Sequence, residues 1–97
     1  MVTLTSRYRR ILRVFGKRLR EARIAAGYKS AQQFAYALGI EPATYRYYER
    51  GKSQPNFEVL ARICELLHIG PNDLLPEADH KRRLDPDLTN TPTISTD

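Results

Sequence analysis

The sequence predicts a small all-α protein with one folded domain. Apolar residues in the first part of the chain recur at alternating intervals of four and three, which is the spacing of one helix face. They are Tyr8, Leu12, Phe15, Leu19, Ala22 and Ala26. Glycine and proline separate the helix-like segments that follow, and no strand-like alternation exceeds a few residues. With 97 residues, the chain has room for one core.

The first helix is predicted over residues 6–26, with Thr5 or Ser6 as its cap and Gly27 at its end. The face opposite the apolar residues is basic. Residues 1–30 carry nine Lys and Arg residues against one Glu, whereas residues 31–97 have a net charge of −3. Such a patch attracts polyanions with an affinity that weakens as salt rises, although a solvated charged face is the alternative. The alternative of a solvated charged face applies to the arginines at the start of the first helix, which are Arg7, Arg9, Arg10 and Arg13.

Two short helices are predicted next. Ser30 can cap a second helix that runs to Leu38, and Gly39 ends it by adopting a left-handed conformation. Pro42 suits the first position of a third helix, which ends near Gly51. The predicted buried residues of the second helix are Ala31, Phe34, Ala35 and Leu38.

A fourth helix begins after Asn56, its predicted cap, and turns Leu60, Ile63 and Leu67 inward. Residues 71–75 are predicted to form a final turn that folds two leucines, Leu74 and Leu75, back onto the core. The predicted domain is therefore residues 1–76. Residues 77–97 contain few large apolar side chains among prolines, threonines and charges, which predicts a flexible tail, with ordering on a partner protein as the exception.

The composition argues against several classes of protein. No apolar run approaches the roughly 18 residues that span a bilayer, and the N-terminus lacks a secretory apolar core, so a cytoplasmic protein without membrane contact is expected. Cys64 is the one cysteine and is expected in the core, while His68 and His80 lack companion ligands. No metal or other cofactor is expected. Because no catalytic pairing of residues is evident, the sequence does not predict an enzyme.

The second and third predicted helices have the features of a helix-turn-helix. The small Ala35 allows close crossing, Gly39 permits the sharp turn, and Ile40 can fill the corner, while Tyr45 and Tyr48 anchor the third helix from beneath. A helix presented in this way fits the major groove of DNA. The residues predicted to face outward and read bases are Pro42, Ala43, Thr44, Arg46 and Tyr47.

The order and spacing of these segments resemble the Cro and phage-repressor family of helix-turn-helix domains, also called xenobiotic-response-element-like regulators. The resemblance covers residues 15–75. Its matching stretches are Leu19-Arg20-Glu21-Ala22-Arg23, residues 30–39, Tyr45-Arg46-Tyr47-Tyr48-Glu49-Arg50-Gly51 and Pro55-Asn56-Phe57-Glu58-Val59-Leu60. The family implies a compact, lambda-repressor-like bundle of five helices that binds pseudo-palindromic operator DNA as a homodimer.

The resemblance also implies roles for individual residues. Arg23 and Glu49 match a structural ion pair that ties the first helix to the end of the third. Many family members begin the second helix with a glutamine that bonds a DNA phosphate, but this chain has Ala31 there and one extra residue before Ser30. The phosphate contact then shifts to Lys29, Ser30 or Gln32, or is absent. Further phosphate contacts are predicted from Arg50, Lys52, Ser53 and Gln54, with an ordinary polar loop as the alternative for the last three.

Pro42 and Ala43 replace the polar residues usual at the start of the recognition helix, so direct base readout depends on Thr44, Arg46 and Tyr47. A solvated helix surface is the alternative for the last two.

The leading function is sequence-specific binding of double-stranded DNA by a transcriptional regulator of bacterial or phage repressor type. The alternative is an antitoxin-like module whose tail binds a partner protein. The candidate dimer interface is the outer face of the fourth helix with Leu74 and Leu75.

Overall fold

The computed structural model describes residues 5–76, which form four α-helices and a short 3-10 turn. The elements are α1 (Ser6–Ala25), α2 (Ala31–Leu38), α3 (Pro42–Glu49), α4 (Phe57–Leu67) and the 3-10 turn Pro71–Asp73. The all-helical class is confirmed, but the count of five helices is wrong. Pro71 and Pro76 bracket the segment after α4, and a stretch this short between two prolines forms one 3-10 turn rather than a fifth helix. The predicted tail, residues 77–97, lies outside the described residues.

Side chains and left-handed residues define the helix ends. Thr5, Ser30 and Asn56 accept hydrogen bonds from the backbone N–H groups of Tyr8, Gln33 and Val59, at 3.0, 3.0 and 2.8 Å. These bonds satisfy donors that an α-helix leaves unpaired at its N-terminus. Gly39 ends α2 with a φ of +81°, which allows the chain to turn directly into α3.

The core lies between α1, α2, α3 and α4 and is built around aromatic rings in edge-to-face contact. The ring centroids of Tyr28 and Phe34 are 4.8 Å apart, those of Phe34 and Tyr45 are 5.3 Å apart, and those of Tyr45 and Tyr48 are 6.2 Å apart. This series of rings joins the loop before α2 to α3. The fully buried aliphatic residues around it are Leu19, Leu38, Ile63 and Leu74.

Two predicted core residues, Leu75 and Ala26, are exposed, and one residue predicted for the dimer interface, Leu74, is in the core. Leu75 is 42% exposed because its neighbour Leu74 occupies the core position and the next side chain points away. Leu74 is fully buried, so it cannot contribute to a dimer interface. Ala26 is exposed because α1 has already ended at Ala25.

The backbones of α1 and α3 approach each other closely at Gly16. A Cβ atom on this glycine would lie 2.5 Å from the carbonyl oxygen of Glu49 and 2.7 Å from that of Tyr48. Any other side chain would push the two helices apart. Gly16 therefore fixes α1 against the C-terminal end of α3.

Candidate nucleic-acid interface

The inner side of α3 is held by a buried polar cluster. Arg23 Nε lies 2.6 Å from Glu49 Oε2, and their side chains are 5% and 10% exposed. The Tyr45 hydroxyl donates to the same carboxylate oxygen at 2.5 Å. Arg23 Nη1 donates to the carbonyl oxygen of Tyr28 at 2.7 Å. This cluster ties α1, the loop before α2 and the last turn of α3 together.

Burial and hydrogen bonding shift the ionisation of this cluster in ways that keep it intact. Burial alone would lower the pKa of Arg23, but the hydrogen bond and the negative charge of Glu49 raise it, so the guanidinium stays charged. Burial raises the pKa of Tyr45, and its hydrogen bond to Glu49 raises it further. The phenol therefore remains a donor to the carboxylate at neutral pH.

The outer side of α3 is exposed. Ala43, Thr44, Arg46 and Tyr47 all reach solvent, and Tyr47 is 51% exposed. Pro42, which was predicted to face outward, is half-buried because it is the first residue of α3 and lies where the helix leaves the turn. The exposed side thus offers a guanidinium, a phenol, a hydroxyl and a methyl group. These groups can contact base edges in the major groove.

The residues predicted to contact phosphate around the start of α2 are exposed, and two of them already make local hydrogen bonds. Ser30 caps α2 through its hydroxyl oxygen, which leaves the hydroxyl hydrogen for another acceptor. Gln32 Nε2 donates to the hydroxyl oxygen of Tyr36 at 3.0 Å. Lys29 is exposed just before the cap. A phosphate near the N-terminus of α2 would meet these donors together with unpaired backbone N–H groups.

The loop after α3 carries the other predicted phosphate contacts. Arg50, Lys52 and Gln54 are exposed, whereas Ser53 is half-buried. The Lys52 backbone N–H donates to the carbonyl oxygen of Tyr47 at 2.9 Å, which folds the loop back onto α3. Gln54 accepts a hydrogen bond from the Tyr8 hydroxyl of α1 through its carbonyl oxygen, so its amide N–H groups are left to donate elsewhere.

Two residues of this region were not identified from the sequence. Gly16 is one, and the signal that could have found it is a glycine in the middle of a helix, where alanine is favoured unless something packs closely. Glu41 is the other: it is exposed immediately before α3, and its side chain makes no capping hydrogen bond. A carboxylate at this place can accept a hydrogen bond from a cytosine amino group.

An apolar surface lies away from these groups, on α4 and the segment after it. Phe57 is 88% exposed and, with Pro71, borders a groove of about 510 Å³. The rest of its lining is also apolar: Leu60, Ala61, Cys64 and Leu75. Burial raises the pKa of the Cys64 thiol, as does the charge of Asp73. We name these six residues the α4 patch.

Within residues 5–76, no helix has the length and apolar character needed to cross a membrane. The same part of the chain contains no cluster of histidine, cysteine and acidic residues suited to a metal ion.

Comparison of the sequence with known proteins finds a matching family and a relative. A family described as "Helix-turn-helix domain" matches residues 14–78. The chain is 33% identical over 81 residues to a Bacillus subtilis (strain 168) protein, the SPbeta prophage-derived uncharacterized HTH-type transcriptional regulator YonR. That alignment covers 84% of this chain and 74% of the relative. No solved structure matches the chain significantly.

Proposed function

The chain belongs to the helix-turn-helix domain family, and we propose that it is a transcriptional regulator that binds duplex DNA by inserting α3 into the major groove. The observation that carries the proposal is the difference between the two sides of α3. Its inner side is held against the core by Tyr45, Tyr48 and Glu49. The polar side chains on its outer side are exposed to solvent. A rigid helix with unused polar groups is suited to reading base edges.

We assign base readout and backbone contact to different residues. Arg46, Tyr47 and Thr44 read bases, and Ala43 contacts a thymine methyl group. Phosphate contacts come from the start of α2 and from the loop after α3. The residues in this second group are Lys29, Ser30, Gln32, Arg50, Lys52, Ser53 and Gln54. Since there are few base readers, DNA shape contributes to the choice of operator.

Selection of bound sequences from a random duplex library tests the proposal. The wild-type protein should enrich a defined sequence, and Arg46→Ala should flatten the preference at one position by about 1 to 3 kcal/mol. Lys52→Ala is the matched control, because it also removes one exposed positive charge. It should weaken all duplexes about equally and reduce the salt slope by about 1. A wild-type library without enrichment, or identical behaviour of the two variants, would refute this division of roles.

We further propose that two copies of the chain associate through the α4 patch and bind a two-fold operator. The partner that covers the α4 patch is a second copy of this chain. One α3 covers only a half-site, and two-fold operators place their half-sites about 34 Å apart. All six residues of the patch are apolar, as expected for the centre of a homodimer interface.

Sedimentation equilibrium tests the dimer. Phe57→Asp should produce a monomer with unchanged unfolding, because the Phe57 side chain is 88% exposed. Ile24→Asp, at a 50% exposed apolar residue on α1, is the control and should leave the protein dimeric. A wild-type monomer at high concentration, both free and on DNA, would contradict this part of the proposal.

A further inference from the structure

One side of α1 carries four basic side chains that the contacts assigned above do not use. Arg9, Arg13, Lys17 and Arg20 are exposed, and their spacing of four, four and three residues aligns them along the helix. We name them the basic stripe. With a rise of about 1.5 Å per residue, the stripe is about 16 Å long. In the part of the chain that the structure describes, none of its members forms an ion pair with a carboxylate.

The basic stripe lies beside the loop that follows α3. A Cβ atom on Gly51 would lie 3.0 Å from the Cα atom of Arg13, and the Tyr8 hydroxyl donates to Gln54. Residues 51–54 supply three of the predicted phosphate contacts. The positively charged surface therefore continues from this loop onto α1.

The stripe is also rigidly connected to α3. Gly16, between its second and third members, packs against the backbone carbonyl oxygens at the end of α3. A duplex held by α3 would then have a fixed position relative to the stripe. The family match starts at residue 14, so Arg9 and Arg13 lie outside the matched residues, in the first part of α1.

The chemistry of the stripe favours a nucleic-acid backbone over a lipid surface. An amphipathic helix that binds a membrane inserts its apolar face, but the apolar face of α1 is buried in the core through Leu12, Phe15 and Leu19. Guanidinium and ammonium groups bind phosphate without inserting. A duplex carries one phosphate per about 1.7 Å of its axis, so a stripe of about 16 Å spans several of them.

We propose that the basic stripe is a second DNA-backbone site, which extends the footprint of the protein beyond the contacts of residues 51–54. This inference rests on the proposed function, because it needs α3 to hold the duplex. Phosphate contacts carry no sequence information directly, so the stripe strengthens binding to all duplexes without changing base preference.

Salt-dependent binding of the double variant Arg9→Gln/Arg13→Gln tests the site. If two phosphate contacts are lost, the slope of log affinity against log salt falls by about 1.8, and affinity falls on the order of 30-fold at 0.15 M salt. Base preference in the random library should be unchanged. For single charges, Arg13→Gln is compared with Arg62→Gln, an exposed arginine on α4. The first should lower the slope by about 0.9, and the second should leave it nearly unchanged.

Ethylation interference with the wild-type protein gives a test that needs no variant. Interference should extend to phosphates beyond those whose effect disappears in Lys52→Ala. A footprint without such phosphates, or an unchanged salt slope in the double variant, would overturn the proposal. So would tighter binding of the wild type to an RNA hairpin than to duplex DNA, if the double variant lost that binding. Failure of the proposed function is distinct, because it would abolish sequence enrichment and the effect of Arg46→Ala as well.

Discussion

The two sides of α3 differ in whether their polar side chains have hydrogen-bond partners within the protein. On the inner side, the Glu49 carboxylate receives a guanidinium and a phenol, and both partners are buried or nearly so. On the outer side, Arg46 and Tyr47 are exposed, and the helix does not need them for its own packing. The residues that hold α3 in place are therefore separate from the residues that we propose for base readout, although the two groups lie only one or two places apart in the sequence. Substitutions on the inner side should change stability, and those on the outer side should change binding.

Glu49→Ala should remove the ion pair on the inner side of α3 and cause the largest loss of stability. It leaves the Arg23 guanidinium buried without its carboxylate partner, and removing one member of a buried ion pair costs about 3 to 5 kcal/mol. Urea unfolding followed by circular dichroism measures the loss. Glu65→Ala, the same change at an exposed position on α4, is the control and should stay within about 0.5 kcal/mol of the wild type. An unfolding midpoint unchanged by Glu49→Ala would show that the ion pair does not stabilise the domain.

Gly16→Ala tests whether the inner side also depends on close backbone contact. Alanine normally stabilises a helix by about 1 kcal/mol relative to glycine, but here its Cβ would meet the Glu49 carbonyl oxygen at 2.5 Å. We expect the free energy of unfolding to fall by about 1 to 3 kcal/mol instead. Ala37→Gly, at an exposed position in α2, gives the ordinary propensity cost for calibration. A Gly16→Ala protein more stable than wild type would mean that α1 and α3 are not in this contact.

Tyr45→Phe should alter the stability of the domain at high pH. Because burial and the Glu49 hydrogen bond raise the pKa of Tyr45, the folded chain keeps the phenol proton above pH 10, where the unfolded chain loses it. Stability from this group is therefore fully present below about pH 10 and declines above it by about 1.4 kcal/mol per pH unit. The variant should lose most of this slope. A smaller slope should remain because burial also raises the pKa of Tyr48. Tyr36→Phe, at a 64% exposed tyrosine, is the comparison; an equal change in both variants would contradict the prediction.

Local signals in the sequence were strong enough to predict the helical class and the turn between α2 and α3. Capping by Ser30 and Asn56 and the left-handed Gly39 depend on interactions within four residues, so they can be read from a short window. The pairing of Arg23 with Glu49 is different. Those residues are 26 positions apart, and only the resemblance to a family suggested that they meet.

Other features depend on where helices cross, which spacing alone does not determine. The contact of Gly16 with α3 and the hydrogen bond from Tyr8 to Gln54 are of this kind. The fifth helix and the buried position of Leu75 were wrong for a related reason. The family resemblance implied the fifth helix, and the apolar side chain of Leu75 suggested its burial, but the short segment between Pro71 and Pro76 forms a single 3-10 turn that buries only Leu74. The base and phosphate contacts remain predictions, since they require a bound duplex.

The series of aromatic rings in the core has a practical consequence for spectroscopy. The chain has six tyrosines and no tryptophan, so its intrinsic fluorescence comes from tyrosine alone. Tyr45 and Tyr48 are buried, whereas Tyr36 and Tyr47 are exposed on α2 and α3. Quenching by a soluble agent would therefore distinguish an interior population from a surface population. Loss of quencher access at Tyr47 on addition of DNA would provide an optical signal without any label.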